Sequence, residues 1–235
     1  MTAEMIVDEL RGIANPENVK GMARFGISSN NTLGISMPVI RQMAKEFRGN
    51  HDLALELWDS GIHEARILAA LIDDPKKVTE AQMEKWVYEF DSWDVCDQCC
   101  MNLFDKTPLA VKKIFEWSER EEEFVKRAAF AMMATLAVHN KKLSDEEMME
   151  FLPLIIAKSD DERNFVKKAV NWALRQIGKR NMFLNAKAIE TAEKILILNT
   201  KSGRWIARDA IRELQDEKII FRINKKEEKR GTHHL

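Results

Sequence analysis

The chain lacks any apolar run of the roughly 20 residues that a helix needs to cross a bilayer. Its N-terminal segment, MTAEMIVDEL, is acidic and amphipathic, unlike the positively charged and then apolar pattern of a secretory signal. An excess of one charge is also missing, since the chain has 37 Lys and Arg and 38 Asp and Glu residues. We therefore expect a cytoplasmic globular protein with no membrane partner, in which any basic surface is local.

Cysteine is scarce, and the three residues of this type, Cys96, Cys99 and Cys100, lie within one predicted helix. A zinc site needs four ligands, and no second pair of Cys or His lies at a suitable spacing. We expect no metal and no cofactor. The cysteines are interpreted as small buried residues on one face of their helix.

Extended runs of alternating polar and apolar residues, which are typical of strands, are missing as well. Helix start signals recur instead. Four pairs have the Ser/Thr-x-x-Glu/Gln spacing in which two side chains satisfy the free amides of a helix start. These pairs are Thr79 with Gln82, Ser118 with Glu121, Ser144 with Glu147 and Ser159 with Glu162. The pattern predicts an all-α protein of about a dozen helices.

Five stretches of the chain can be aligned with one another. They are HEARILAALI from His63, DVCDQCCMNL from Asp94, FVKRAAFAMM from Phe124, FVKKAVNWAL from Phe165 and WIARDAIREL from Trp205. Their starts are 31, 30, 41 and 40 residues apart, which is typical of HEAT or armadillo helix pairs. We predict a HEAT-like α-α superhelix, a solenoid of antiparallel helix pairs, as a single domain over residues 1–224. A charged, disordered tail is expected over residues 225–235, and the protein is expected to be a monomer.

The fourth position of every aligned stretch carries a charge. The five residues are Arg66, Asp97, Arg127, Lys168 and Arg208. Because Lys, Arg and Asp are rarely buried unpaired, we expect this position to face solvent along the concave inner curve. A row of cations with one carboxylate indicates chemistry on an anionic polymer. The alternatives are a structural ion pair for Asp97 and pairing with a neighbouring glutamate for Arg127.

Residues 163–180 contain six cations and no acid. The cations are Arg163, Lys167, Lys168, Arg175, Lys179 and Arg180. Trp172 lies one helical turn after Lys168, and a tryptophan flanked by cations can pack against deoxyribose or a base while the cations hold phosphates. The tryptophans without such neighbours are assigned to the core: Trp58, Trp86, Trp117 and Trp205.

Three motifs follow one another along the chain. They are Ser92-Trp93-Asp94-x-x-Asp97, Phe124-Val125-Lys126-Arg127-Ala128-Ala129 and Phe165-Val166-x-Lys168-Ala169-x-x-Trp172-x-Leu174-Arg175. From Pro16 to Leu214 the chain resembles the DNA alkylation repair family of AlkD-like, HEAT-repeat DNA glycosylases. The resemblance implies a concave cationic face that grips duplex DNA. It also implies that four residues correspond to the family's active-site and lesion-contacting residues: Trp93, Asp97, Arg127 and Trp172.

The chemistry implied by this resemblance requires only one carboxylate. A purine alkylated at N3 or N7 is already a cation, so its glycosidic bond can break without the general acid that ordinary glycosides need. Asp97 would stabilise the oxocarbenium-like sugar and orient water, while Arg127 would hold a phosphate. Trp93 and Trp172 would shape the pocket. Further DNA contacts are expected from Lys126, Lys168, Arg175 and Arg208. The expected partner is duplex DNA, damaged or branched, with which the protein would associate in the nucleoid.

One segment departs from the family pattern. The family's glycosylases place an aromatic-bearing helix against DNA after a segment similar to Gly21-Met22-Ala23-Arg24. Here residues 25–38 are FGISSNNTLGISMP, whose Gly, Ser and Asn residues predict a loop. The first hypothesis is a monofunctional DNA glycosylase. The alternatives are a DNA-structure-binding member with little or no excision, and a protein-interaction solenoid that shares only the fold.

Overall fold

The computed structural model describes the backbone of residues 1–231 and the side chains of residues 1–229. Within that range it contains fifteen α-helices, one short 3-10 helix and no strand. The all-α class is therefore confirmed. None of the described helices has the length and apolarity needed to cross a bilayer.

The helices follow one another with short connections, except for a longer loop between the second and the third. They are α1 Ala3–Gly12, α2 Pro16–Ala23, α3 Met37–Phe47, α4 His51–Asp59, α5 His63–Ile72, α6 Glu80–Tyr88, α7 Trp93–Asn102, α8 Ala110–Ser118, α9 Glu123–His139, α10 Asp145–Met149, α11 Phe151–Ala157, α12 Asn164–Gly178, α13 Met182–Leu198, α14 Lys201–Leu214 and α15 Glu217–Gly231. Each of the five aligned stretches lies in one helix, α5, α7, α9, α12 or α14, except that Leu103 at the end of the second stretch follows α7.

Two of the four predicted helix starts are present. Thr79 caps α6, and Ser144 forms the full reciprocal capping box of α10. The predictions at Ser118 and Ser159 are wrong. Ser118 ends α8 and Ser159 follows α11, and each hydroxyl donates to the carbonyl three residues earlier. A serine hydroxyl can accept a free amide at the start of a helix or donate to a carbonyl at its end. The Ser-x-x-Glu spacing alone therefore does not distinguish a helix start from a helix end.

The chain divides into two compact units, Met1–Ala110 (unit 1) and the residues from Val111 onwards (unit 2). In unit 1, α3, α4 and α7 pack against α5. The indoles of Trp58 and Trp86 stack with their centroids 4.0 Å apart, and Phe90 meets Trp58 edge-on at 6.0 Å. This aromatic cluster joins α4 to α6. The single domain predicted for residues 1–224 stays a prediction.

In unit 2, α9 is buried along most of its length and packs against α12. Helix α12 also contacts α13 and α14. The Asn171 side-chain amide donates to the Ile206 carbonyl at 3.1 Å, and further along both helices, one turn on in α12 and two turns on in α14, Arg175 pairs with Glu213. Because the partners advance in the same direction, α12 and α14 lie parallel, as equivalent helices of successive repeats do.

Residues at the first position of the aligned stretches meet in space. His63 Nε2 lies 2.9 Å from Asp94 Oδ2 in unit 1, and the rings of Phe124 and Phe165 are 5.6 Å apart in unit 2. Each pair joins the same position of two successive stretches. The sequence alignment therefore corresponds to helices that lie side by side within each unit.

The end of the described chain is helical. Helix α15 continues to Gly231, and the Glu227 carboxylate accepts the Met182 amide at 2.8 Å. Lys226 donates to the Arg180 carbonyl at 3.3 Å. These contacts attach the predicted tail to the start of α13, which explains why residues 225–231 are helical. The rest of that tail, residues 232–235, lies outside the described residues.

Candidate functional site

Helix α7 begins at Trp93 with Ser92 at its N-cap position and Asp94 in its first turn. Asp94 also contacts His63 of α5, with 2.9 Å between the carboxylate oxygen and Nε2. Burial disfavours the charged form of both groups, but their hydrogen bond and opposite charges outweigh it. The pKa of His63 is raised above 6.5 and the pKa of Asp94 is lowered below 3.8. The two side chains form an ion pair that ties α5 to α7.

The side chains at the fourth positions of the two stretches in unit 1, Arg66 and Asp97, are partly or largely buried. Asp97 is only 8 % exposed, so the expectation of a solvent-facing carboxylate is wrong. The Arg66 guanidinium lies over the Trp58 ring at 5.1 Å and donates to the Glu89 carbonyl at 3.0 Å. Cation–π contact and a carbonyl acceptor compensate its partial burial. The catalytic role of Asp97 stays a prediction.

Trp93 is half-buried on α7, and its indole nitrogen donates to the Phe25 carbonyl at 3.1 Å. The Phe25 side chain itself is 72 % exposed. The hydrogen-bonding edge of Trp93 therefore contacts the segment that follows α2.

That segment, residues 24–36, is a loop, as its Gly, Ser and Asn content predicted. The buried carboxylate of Glu64 accepts three consecutive amides from it. These amides belong to Leu33 at 2.9 Å, Gly34 at 2.6 Å and Ile35 at 3.2 Å. A carboxylate that accepts several backbone amides is a strong anchor, so the second half of the loop is held in one conformation.

A cavity of about 490 Å³ opens beside Trp93 in unit 1. Helix α2, the loop, the start of α3 and the first turns of α7 surround it. Trp93, Asp94 and Gln98 line it from α7, whereas Asp97 does not line it. No group of three or more His, Cys, Asp or Glu residues suited to a metal occurs among the described residues.

In unit 2, Lys126 and Arg127 of α9 are each 5 % exposed. Arg127 Nη1 donates to the Phe165 carbonyl at 2.6 Å. Lys126 Nζ lies 3.5 Å from a Glu121 oxygen and 3.8 Å from an Asp161 oxygen. The expectation that Arg127 faces solvent is wrong, and Lys126, an expected DNA contact, is buried as well. Helix α9 is a central helix, and acceptors from the adjoining segments compensate the buried charges.

Four of the six cations of residues 163–180, namely Arg163, Arg175, Lys179 and Arg180, meet acids from outside the segment. Arg175 pairs with Glu213 and lies 3.8 Å from Asp209, and Lys179 lies 2.7 Å from Glu213. Burial alone would raise the pKa of Glu213, but its hydrogen bonds to these two cations lower it. The segment lacks acids in sequence but not in space, because α14 supplies them.

Lys168 and Arg208 are the fourth-position residues that do face solvent. Neither makes an ion pair with any described residue, and they lie on the parallel helices α12 and α14. Their predicted exposure is therefore correct. Both charges are available to an anionic partner.

Trp205 lies on this surface rather than in the core. Its side chain is 41 % exposed, and Lys167 Nζ lies 5.4 Å from the ring centroid. Trp172 is half-buried. When the Gln176 amide is oriented with its oxygen towards Trp172 and Lys179, that oxygen accepts the Trp172 indole N–H at 3.2 Å. We call Lys167, Lys168, Trp205 and Arg208 the basic face of α12 and α14.

Comparison with known proteins identifies the family. A family model described as DNA alkylation repair enzyme matches residues 6–214. The chain belongs to this family. An uncharacterized protein of Listeria innocua is 24 % identical to it over 230 residues, which cover 95 % of this chain and all of the relative. An uncharacterized protein of Listeria monocytogenes is 22 % identical over 217 residues, covering 90 % and 95 % of the two chains.

The fold of this DNA alkylation repair family member is also similar to that of a solved structure. The TM-score is 0.74 at 20 % identity, over 83 % of each chain. That protein is described as one of a new family related to the HEAT-like repeat DNA glycosylases with affinity for branched DNA structures. The predicted family and the HEAT-like fold are confirmed.

The sequence contains only partial signals for two residues whose positions the structure reveals, the exposed Trp205 and the loop anchor Glu64. Trp205 follows Arg204 and precedes Arg208 by three residues, so it has cationic neighbours comparable to those of Trp172. The sequence around Glu64 contains even less that would predict its role as the anchor of a loop. An acid in the first turn of a helix normally interacts with the helix dipole, and nothing local distinguishes an anchor for a distant loop.

Proposed function

We propose that the protein binds duplex DNA, with a preference for branched structures, through the basic face of α12 and α14. The observation that carries this proposal is the pair of exposed cations Lys168 and Arg208 beside the exposed indole of Trp205. Such cations neutralise phosphates and release counterions, while an indole packs against sugars or bases. The affinity for branched DNA of the protein with the similar fold supports this class of partner.

The burial of two residues argues against efficient base excision. Stabilising a charge that develops on the sugar requires close approach of the carboxylate, and Asp97 is 8 % exposed. Arg127, the expected phosphate contact, is 5 % exposed and donates to a backbone carbonyl. Release of cationic N3- or N7-alkylpurines is therefore the second candidate function. Membership of the repair family and the four-residue spacing of Trp93 and Asp97 on α7 favour it.

DNA binding is tested by fluorescence anisotropy with a four-way junction and a linear duplex of matched length, between about 50 and 200 mM salt. We expect tighter binding of the junction. In the double variant Lys168→Ala/Arg208→Ala, the slope of log affinity against log salt should fall by about two for both DNAs.

The matched control for this experiment is Lys187→Ala/Lys194→Ala. It removes the same charge from α13, where both lysines pair with Glu190. An equal decrease of the salt slope in the control would show that net charge alone determines binding, and it would contradict the proposed role of the basic face. If the wild-type protein bound neither DNA at low salt, DNA binding itself would be wrong, and the protein-interaction solenoid would remain.

Excision is tested by incubating alkylated duplex DNA with the enzyme at micromolar concentration and measuring released 3-methyladenine and 7-methylguanine. The proposal predicts no release above the spontaneous rate. Release by the wild type that is abolished in Asp97→Asn, at unchanged thermal stability, would instead establish the glycosylase.

A further inference from the structure

The cavity beside Trp93 is lined mainly by apolar groups. Its walls include Met22 from α2, Phe25 and Ile35 from the loop, and the indole of Trp93. A volume of about 490 Å³ lies within the range of small-molecule sites, which are apolar with a few polar groups. The cavity can therefore hold a flat ring against an aromatic wall.

Gly21 gives the first indication of a ligand. It lies inside α2, where glycine costs about 0.5–1 kcal/mol relative to alanine. A Cβ added at this position would meet no atom within 4 Å, so packing does not require a glycine. Gly21 lines the cavity, and because it has no side chain, the helix backbone is accessible from the cavity at this position. Close approach of a ligand to this backbone accounts for a glycine at this position.

The charges around the cavity define the ligand class. Its lining residues include Glu17 and Asp94 but no Lys, Arg or His. A phosphate or another anion is disfavoured here. Asn18 and Gln98 also line the cavity. Asn18 Nδ2 donates to the Gly34 carbonyl and Gln98 Oε1 accepts from Asn102, so Asn18 Oδ1 and Gln98 Nε2 are the amide atoms that can meet the polar edge of a ligand. A nucleobase has flat apolar faces and a polar edge, which matches this arrangement.

We propose that the cavity beside Trp93 binds one unstacked nucleobase. This inference rests on the proposed DNA binding for its physiological context, because branched structures that carry single-stranded segments, such as forks and flaps, expose unpaired bases. Stacking of a base on an aromatic side chain strengthens binding by about tenfold or more. The phosphates are bound elsewhere, since the cavity is lined by no cation.

The inference is tested with Gly21→Leu, which fills the cavity with a good helix former. The control is Gly12→Leu, because Gly12 also has nothing within 4 Å of an added Cβ but does not line the cavity. The first measurement is the ratio of affinities for a duplex with one bulged 2-aminopurine and for the fully paired duplex. We expect Gly21→Leu to lower this ratio by about tenfold and the control to leave it unchanged.

The second measurement uses the free nucleoside, 2-aminopurine riboside, whose fluorescence is quenched on stacking. We expect quenching by the wild type and by Gly12→Leu, and a loss of most of it with Gly21→Leu. Absence of quenching by the wild type, or equal quenching by both variants, would overturn the cavity as a base site. Because this measurement needs no DNA, it gives a result even if the proposed DNA binding is wrong.

Discussion

His63 and Asp94 join two helices that are equivalent in sequence, with 2.9 Å between His63 Nε2 and Asp94 Oδ2. Both side chains occupy the first position of their aligned stretches. Asp94 also lines the cavity beside Trp93, so the pair fixes one wall of that cavity. The contact links the stability of unit 1 to pH.

Stability should depend on His63 in a defined pH range. The pKa of His63 is raised in the folded protein, so its contribution is complete below pH 6.5 and is lost as pH rises through the folded pKa. The pKa of Asp94 is lowered, so its contribution is complete above pH 3.8 and is lost as pH falls through the folded pKa. The full contribution is expected between these values.

The measurement is the free energy of unfolding of wild type and His63→Gln at about pH 5.5 and pH 9. We expect the variant to be destabilised by about 1–3 kcal/mol more at the lower pH. His139→Gln, at an exposed position at the end of α9, serves as the control. A destabilisation of His63→Gln that does not change with pH would contradict the ion pair.

The buried anchor Glu64 should be essential for the loop. Replacing it by glutamine removes the charge and places an amide donor against backbone donors, so we expect a loss of at least about 2 kcal/mol. Hydrogen exchange should show the Leu33, Gly34 and Ile35 amides exchanging faster in Glu64→Gln. The exposed Glu56 of α4 offers the control Glu56→Gln, which should leave both observations unchanged. Unchanged protection in Glu64→Gln would show that the loop is held by other contacts.

Substitutions at two glycines should distinguish the cost of backbone strain from the cost of steric overlap. Gly34 and Gly49 have φ values of +77° and +80°, but a Cβ would lie 2.2 Å from the Asn15 carbonyl oxygen only at Gly34. We expect Gly49→Ala to cost about 1–2 kcal/mol from the left-handed conformation alone. Gly34→Ala should cost clearly more, because the backbone of the loop must also move. Urea denaturation measures both, and equal costs would contradict the close contact.

The thiols of α7 should be unreactive in the folded protein. Cys96, Cys99 and Cys100 are fully buried, and burial raises the pKa of the Cys99 and Cys100 thiols well above the ordinary value. A thiol-specific chromogenic disulfide at pH 8 should label none of them before unfolding and all three in urea. Labelling of the native protein within minutes would show that α7 opens readily.

Local sequence signals were sufficient for the fold class. Capping residues such as Thr79 and Ser144 act within one helical turn, and the apolar spacing of the five stretches reflects a packing requirement that each repeat shares. The loop at residues 24–36 was predictable for the same reason, since Gly and Asn act on their own backbone. These effects need no partner from a distant part of the chain.

The side-chain environment of the charged residues could not be predicted in this way. Arg127 and Lys168 occupy equivalent positions in similar stretches, yet one is buried and the other is exposed. The buried charge of Arg127 is compensated in part by a carbonyl that is 38 residues away in the chain. Likewise, Trp205 and Lys167 come together only because α12 and α14 lie side by side.

The sequence by itself thus determined an all-helical HEAT-like protein of the DNA alkylation repair family, with a loop after α2. Only the tertiary structure decided which charges reach solvent: Lys168 and Arg208 do, whereas Asp97 and Arg127 are covered. Helix formation and capping depend on neighbours within a turn. The exposure of a charge depends on the acceptors that packing brings to it from elsewhere in the chain.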